Sequence, residues 1–404
     1  MPSVRRRAIL GIVATSGVAG CVDRLRGDDD ADTSPADRRV PATYGPGASE
    51  WIRSTRSFSN DVVSPMAEPP RHEPDERWNA GEVGGVLGIA VVDDVVFAGA
   101  RDGVDARRLE DGDLLWERDA DSADVTVVDG RCYVVDDGGI VARDAETGSE
   151  IWRHEPDDPV GSLVEIDGTV YYTARGDLHG LHADTGDRRW TVDGEGVYGS
   201  LAIADRELHW VTMDAYRVLE PDGPNRPDER ATVPFDGLEP RTRPAGPAVV
   251  DGTIALGGWS DGPGPAPVRS LTRRGTVWQR PFEPAVGTPA ILEDRLLATG
   301  YDNGADALDE STVAALEPDT GDPIWETTVH EPVGPPAVAD GVIYTGGGHP
   351  SEPAGETGHL FALEVETGDV LWTIETDGAF ASHPLALVED VVVIGTRTGV
   401  VVLE

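Results

Sequence analysis

Short apolar runs alternate with acidic turns along most of the chain, and the alternation is a repeat. One column is an acidic turn between two apolar stretches: Val92-Asp93-Asp94, Val128-Asp129-Gly130, Ile166-Asp167-Gly168, Ala204-Asp205-Arg206, Val250-Asp251-Gly252, Leu292-Glu293-Asp294, Ala339-Asp340-Gly341 and Val388-Glu389-Asp390. These eight turns lie 36 to 49 residues apart, a period that marks stacked structural units. Two residues after each turn comes an apolar side chain: Val96, Cys132, Val170, Leu208, Ile254, Leu296, Ile343 and Val392. Short β-branched runs bounded by turn residues predict strands, and no long segment carries a helical period.

A second column places Trp after a turn. Gly112, Gly148, Gly186, Gly321 and Gly368 are followed four residues later by Trp116, Trp152, Trp190, Trp325 and Trp372, and Gly275 with Trp278 is one residue shorter. The fourth copy has Leu219-Glu220-Pro221-Asp222-Gly223 but no Trp, so it is expected to be the least regular. A large aromatic at a fixed place after a tight turn can wedge between neighbouring units, which gives these tryptophans a structural docking role. The last copy ends at Glu404 after its third strand, and a segment around Trp78 can supply the fourth. The expected fold is all-β: an eight-bladed β-propeller of four-stranded antiparallel blades, closed by an N-terminal strand.

Segments such as Ala145-Glu146-Thr147-Gly148-Ser149-Glu150-Ile151-Trp152 and Glu366-Thr367-Gly368-Asp369-Val370-Leu371-Trp372 resemble the tryptophan-docking motif of the quinoprotein-like (PQQ-like) propeller superfamily. The resemblance runs from about residue 51 to the end. The Gly-His and Trp-Asp marks of the Trp-Asp repeat family are absent.

The front of the chain reads as a targeting device. Arg5-Arg6-Arg7 precedes an apolar run from Ala8 to Gly20, the charge-then-hydrophobe order of a secretory signal. The run ends in Val18-Ala19-Gly20-Cys21, which looks like a lipobox, with Cys21 as the lipidated residue, and the arginines resemble a twin-arginine export signal. An ordinary signal with a chance Cys, or an uncleaved anchor, are the alternatives. Residues 1–20 are thus expected to be signal, 21–50 an acidic tether with a random-coil reach of roughly 30 Å, and 51–404 the propeller.

Charge changes the picture of partners. The 74 Asp and Glu exceed the 33 basic residues by 41, and every basic residue is Arg. Such a field disfavours nucleic acid and anionic lipid surfaces. With 39% apolar residues and ten Trp the chain has a core to bury, so it is not a disordered acidic chain. The composition resembles proteins of salt-loving archaea, in which salt screens the repulsion between carboxylates.

The resemblance implies a search for a quinone site: a calcium held by Glu, Asn and Asp, a catalytic Asp, an Arg near the quinone and, in many members, adjacent cysteines. Besides Cys21 the chain has only Cys132, so no pair can form, and there is no C-x-x-C-H for covalent haem. Cys132 falls in the apolar strand column and reads as a small buried hydrophobe, with a reactive thiol as the alternative. His179 and His182 have metal-ligand spacing, yet His182 falls in a solvated column and no further ligands cluster nearby. Asp302, Asp306 and Asp309 carry hard donors that suit calcium, or form a solvated acidic loop. Gly346-Gly347-Gly348 lacks the Lys and helix of a phosphate cradle.

Two features remain for binding. The links across Trp259 to Pro267, Tyr301 to Ser311 and Gly347 to Thr357 are long in the fifth, sixth and seventh copies and would raise one wall on one face. Neutral drift of exposed loops explains them equally well. Innermost stretches at Val197–Ser200, Arg241–Arg243 and Ser382–Pro384 put Arg241, Arg243 and His383 toward the channel, where the arginines meet an anion or pair with carboxylates.

The expected function is a non-catalytic binding or scaffold lipoprotein. It would be a monomer held at the extracellular side of the membrane through Cys21, with an unknown surface protein or ligand at the long-loop face of blades 5–7. In fold, Trp repeats and anchor it resembles the propeller lipoprotein of bacterial outer-membrane assembly. The alternative is a dehydrogenase using pyrroloquinoline quinone (PQQ) and calcium on an alcohol or sugar. A hydrolase or lyase would need a spatial cluster of carboxylates or histidines.

Overall fold

Asp and Gly at the acidic turns do the work their chemistry suggests. Asp129 and Gly130 have φ of 47° and 71°, Asp167 and Gly168 50° and 69°, and Asp340 and Gly341 44° and 72°. Two consecutive left-handed residues make the two-residue turn whose twist matches the flanking strands. Each such turn joins an inner strand to a second one, as in Asp124–Val128 with Arg131–Asp136 and Val160–Ile166 with Thr169–Ala174.

The computed structural model describes residues 60, 62–64, 66–81, 85–120, 124–136, 138–194, 199–235, 242–260, 264–301, 310–348, 358–376 and 384–404. Among these residues there is no helix. The strands form four-stranded antiparallel meanders such as Val86–Val92, Val95–Ala100, Val104–Arg108 and Leu114–Arg118. Nine strands of the fifth and sixth copies join through Ala285–Val286, which pairs with both Thr253–Ser260 and Leu296–Tyr301. First strands of successive copies adjoin one another, and Val86–Val92 of the first copy adjoins Leu385–Val388 of the eighth. The molecule is a β-propeller with these first strands nearest the axis.

Burial follows position within a sheet. The second strand Thr169–Ala174 is buried at every residue because neighbouring sheets cover both its faces. The fourth strand Glu150–His154 alternates, with Trp152 as its buried residue and Ile151 left exposed. That is why inner strands read as continuous apolar runs and outer ones as alternating patterns.

In the eighth copy Glu76–Ala80 pairs antiparallel with Val400–Leu403, with Trp78 opposite Val402. Backbone bonds in both directions between Asp75 and Glu404 extend the contact, and Arg77 Nε lies 2.6 Å from a Glu404 carboxylate oxygen.

The tryptophans lock sheet to sheet. Trp116 Nε1 donates to the Ala145 carbonyl at 2.9 Å, Trp152 to Ala183 at 2.7 Å, Trp278 to Pro318 at 2.8 Å and Trp325 to Val365 at 3.0 Å, each in the next copy. Trp78 donates to Leu109 at 2.8 Å in the first copy. At Gly148 a Cβ would come within 2.6 Å of the Trp116 ring, so the turn glycine is needed for contact as well as for its φ of 67°. Trp372, whose next copy has no third-to-fourth turn, donates to the Pro70 carbonyl at 3.2 Å.

Trp190 departs from the docking expected of it. Its Nε1 is buried without a partner, and its ring lies on Gly180 of its own sheet, where a Cβ would fall within 2.3 Å. The physical reason lies in the fourth copy. Its last hairpin, Ala215–Asp222 with Asn225–Pro234, closes at Asp222 opposite Asn225 and shifts register twice. A Cβ at Gly223 would meet nothing within 4 Å, so no indole rests there, and the Thr169 hydroxyl holds the Gly223 carbonyl at 3.0 Å instead.

Candidate functional site

The centre of a propeller is the natural place for a ligand, and here the chain's own N-terminal segment lies there. Val63–Ser64 pairs in parallel with Ala337–Ala339, the first strand of the seventh copy. The Asn60 side-chain amide donates to the Leu201 carbonyl at 3.1 Å and to the Pro247 carbonyl at 2.6 Å. Those acceptors belong to first strands of the fourth and fifth copies. Val62, 2% exposed, packs in one cluster with Ala290 of the sixth copy and Val338 of the seventh. Asn60 and Val62–Ser64 thus touch inner strands of the fourth to seventh copies.

The segment leaves beside the acidic turns. Glu68 N donates to the Glu389 carbonyl at 2.6 Å, Tyr344 Oη reaches the Pro69 and Pro70 carbonyls at 3.3 and 3.2 Å, and Arg71 bonds Glu364 at 3.2 Å. Asn60 matters twice. It bridges the fourth and fifth copies, the joint at which Ala231 stands opposite Val218, where Trp116 stands opposite Ala106. The Asn60 bridge spans a joint that has no tryptophan clamp. No period in the sequence announces this segment, since two paired residues and one amide leave no pattern.

Of the residues expected at the channel, Arg243 lies in Thr242–Val250 opposite Trp259 and is half-buried. Arg241 and His383 lie outside the described residues. So do the calcium candidates Asp302, Asp306 and Asp309, the lipidation candidate Cys21 and most of the three long links. Cys132 is fully buried, and burial pushes its thiol up to about 12, which leaves it inert.

The two histidines separate. His179 stacks on Tyr172 with centroids 4.7 Å apart and shares a hydrogen bond with Thr191 at 3.0 Å, while Tyr172 Oη lies 2.9 Å from His154 Nε2. Burial lowers the proton affinity of both His154 and His179. His182 accepts the Asp184 backbone amide at 3.2 Å at a turn. Among the described residues no three His, Cys, Asp or Glu are grouped to hold a metal ion.

Two buried charges escape sequence reasoning. Glu165, 2% exposed on the first strand of the third copy, accepts from Tyr133 Oη at 3.2 Å, and burial pushes its carboxyl up to about 7. Arg269, 3% exposed on Pro267–Thr272, stands where other copies carry Val141, Ala314 or Phe361. For Glu165 the available signal was a charge in an otherwise apolar column, whereas the column of Arg269 also carries Asp105, His179 and Arg217 and gave no signal. Among the described residues no group of carboxylates is placed to hold a quinone's calcium, while Asn60 and Val62–Ser64 lie against inner strands.

Comparison with known proteins follows this geometry. Residues 100–212 and 265–404 match the family model described as outer membrane protein assembly factor BamB. Among solved structures, BamB from Moraxella catarrhalis is similar at a TM-score of 0.63 and 18% identity, over 82% of this chain and 97% of that one. Quinohemoprotein alcohol dehydrogenase from Comamonas testosteroni gives 0.66 and 13%, over 88% and 80%. The computationally designed Ika8 protein gives 0.60 and 15%, over 85% and 98%. Identities this low establish a shared fold alone. No curated protein sequence matches the chain.

Proposed function

The chain belongs to the family described as outer membrane protein assembly factor BamB, and from that premise we propose that it is a non-catalytic binding scaffold, lipid-anchored at the outer face of the cell membrane. The observation that carries the reading is the axis. Asn60 and Val62–Ser64 hydrogen-bond and pack against inner strands of four sheets, which supports a propeller whose centre is given to its own chain and not to a small molecule. A scaffold needs only its outer faces.

The ring has eight blades. The nine-stranded sheet divides into the fifth and sixth copies, and Glu76–Ala80 completes the eighth and closes the circle. Support for the anchor is the sequence from Arg5 to Cys21, and support for a salt-adapted surface is the 41-charge excess of acid over base. The partner meets the face carrying the long links of blades 5–7, and the chain works as a monomer.

The test has two parts. Changing Cys21→Ala is expected to release the protein from the membrane fraction into the medium. Purified protein supplied with PQQ, calcium and an artificial electron acceptor is expected to oxidise no alcohol or sugar. Saturable turnover on any of them would make it a quinoprotein dehydrogenase and end the scaffold reading.

A further inference from the structure

Arg269 sits in the seam between the sheets of the fourth and fifth copies. The ring of Phe235, from the end of Asn225–Pro234, lies 5.5 Å from its guanidinium carbon, and its Nε approaches the Gln279 side-chain oxygen at 3.4 Å. Its Nη1 is buried with no acceptor. Burial lowers its proton affinity to about 10, and among the described residues no acidic group acts on it.

Other arginines in the sheets are compensated. Arg295 holds Asp294 and Glu366 at 2.6 and 2.9 Å, and Arg217 holds Asp214 at 2.9 Å. Arg143 donates to the Gly148 carbonyl at 3.2 Å and feels the charge of Glu150. The Phe235 amide donates to the Asp214 carbonyl, which brings one acid to the seam. Its carboxylate is already engaged by Arg217 and Thr212.

A buried cation with only neutral neighbours is costly, and a chain with 74 carboxylates had many ways to avoid it. The seam also has less side-chain filling than its equivalents. Ala231 replaces the docking Trp, and a Cβ at Gly275 would meet nothing within 4 Å, whereas one at Gly148, Gly186, Gly321 or Gly368 would meet an indole ring closer than 3 Å.

We propose that Arg269 binds a small monovalent inorganic anion of the halide class, chloride in the cell, at the seam between the fourth and fifth blades. A halide needs donors and no particular geometry, and it suits a closed seam. A carboxylate from a partner would need an opening that a 3%-exposed side chain does not offer. A water molecule would leave the charge uncompensated. The bound anion replaces the missing tryptophan as the element that ties the seam on its outer side, while Asn60 ties it at the axis.

The experiment compares melting of the purified full chain in sodium chloride and in sodium gluconate at equal ionic strength. The unaltered protein is expected to melt about 2–4 °C higher in chloride, and Arg269→Met is expected to remove the difference. Equal melting of the unaltered protein in the two salts, or a chloride increment that survives in Arg269→Met, overturns the proposal. Should that variant fail to fold, crystals of the unaltered protein soaked in bromide decide it. An anomalous peak within hydrogen-bonding distance of Arg269 Nη1 supports the site, and its absence there refutes it.

Discussion

At the joints made by Trp78, Trp116, Trp152, Trp278 and Trp325, an indole ring lies on a turn glycine and its N–H meets a carbonyl of the next sheet, so each of these joints depends on close fit. Trp152→Ala removes both ring and hydrogen bond, and about 3–5 kcal/mol of stability should go with them in denaturant unfolding at high salt. Trp190→Ala should cost less, because its indole N–H has no acceptor to lose. Glu165 makes a pH prediction. Its carboxyl titrates near 7 in the folded chain against 4.5 when exposed, so the folded state favours the proton. Its stabilising contribution, on the order of 3 kcal/mol, is full below pH 4.5 and is lost as pH rises through 7. Thermal melts of Glu165→Gln across that window should show a flatter pH profile than the unaltered chain. The docking role of most tryptophans was legible because turn glycine and indole keep a fixed spacing. That of Trp190 was not, since Gly180 beneath it and the tight hairpin beyond it decide where the ring lies.

Among elements, the acidic hairpins were legible for a plain steric reason: two left-handed residues in a row select Asp and Gly, and the flanking apolar runs do the rest. The segment around Asn60 and Val62–Ser64 was not, because its hydrogen-bond and ladder partners lie 141 to 276 residues away in sequence and it forms only a two-residue ladder. Its contribution can be measured by itself. Asn60→Ala leaves two inner-strand carbonyls without their donor, and amide hydrogen exchange should accelerate in Ser200–Ala204 and Thr242–Val250 with little change in Asp124–Val128. Uniform exchange across all three strands would mean that the bridge is incidental to the joint. The same joint lacks its tryptophan, so it should be the first place at which the ring opens.

For the whole molecule, a ring of eight blades closed through Trp78 and Glu76–Ala80, as proposed, should unfold as one unit. The excess of 41 acidic charges makes that unity depend on screening. Calorimetry in high salt should give one transition that moves down steeply as salt is withdrawn, and independent melting of two halves would contradict the closed ring. The family match gives the fold its place, yet the axis decides what the fold can do. On the proposed reading, the contacts of Asn60, Val62 and Val63 with inner strands give the centre line to protein and not to a quinone. The measurement that tests this most directly is calorimetric titration of the purified chain with PQQ, in high salt, with and without calcium. No saturable heat in either condition is the result expected of a filled axis; tight, saturable binding would mean that residues 60–64 do not occupy it and that the molecule is built to hold a cofactor.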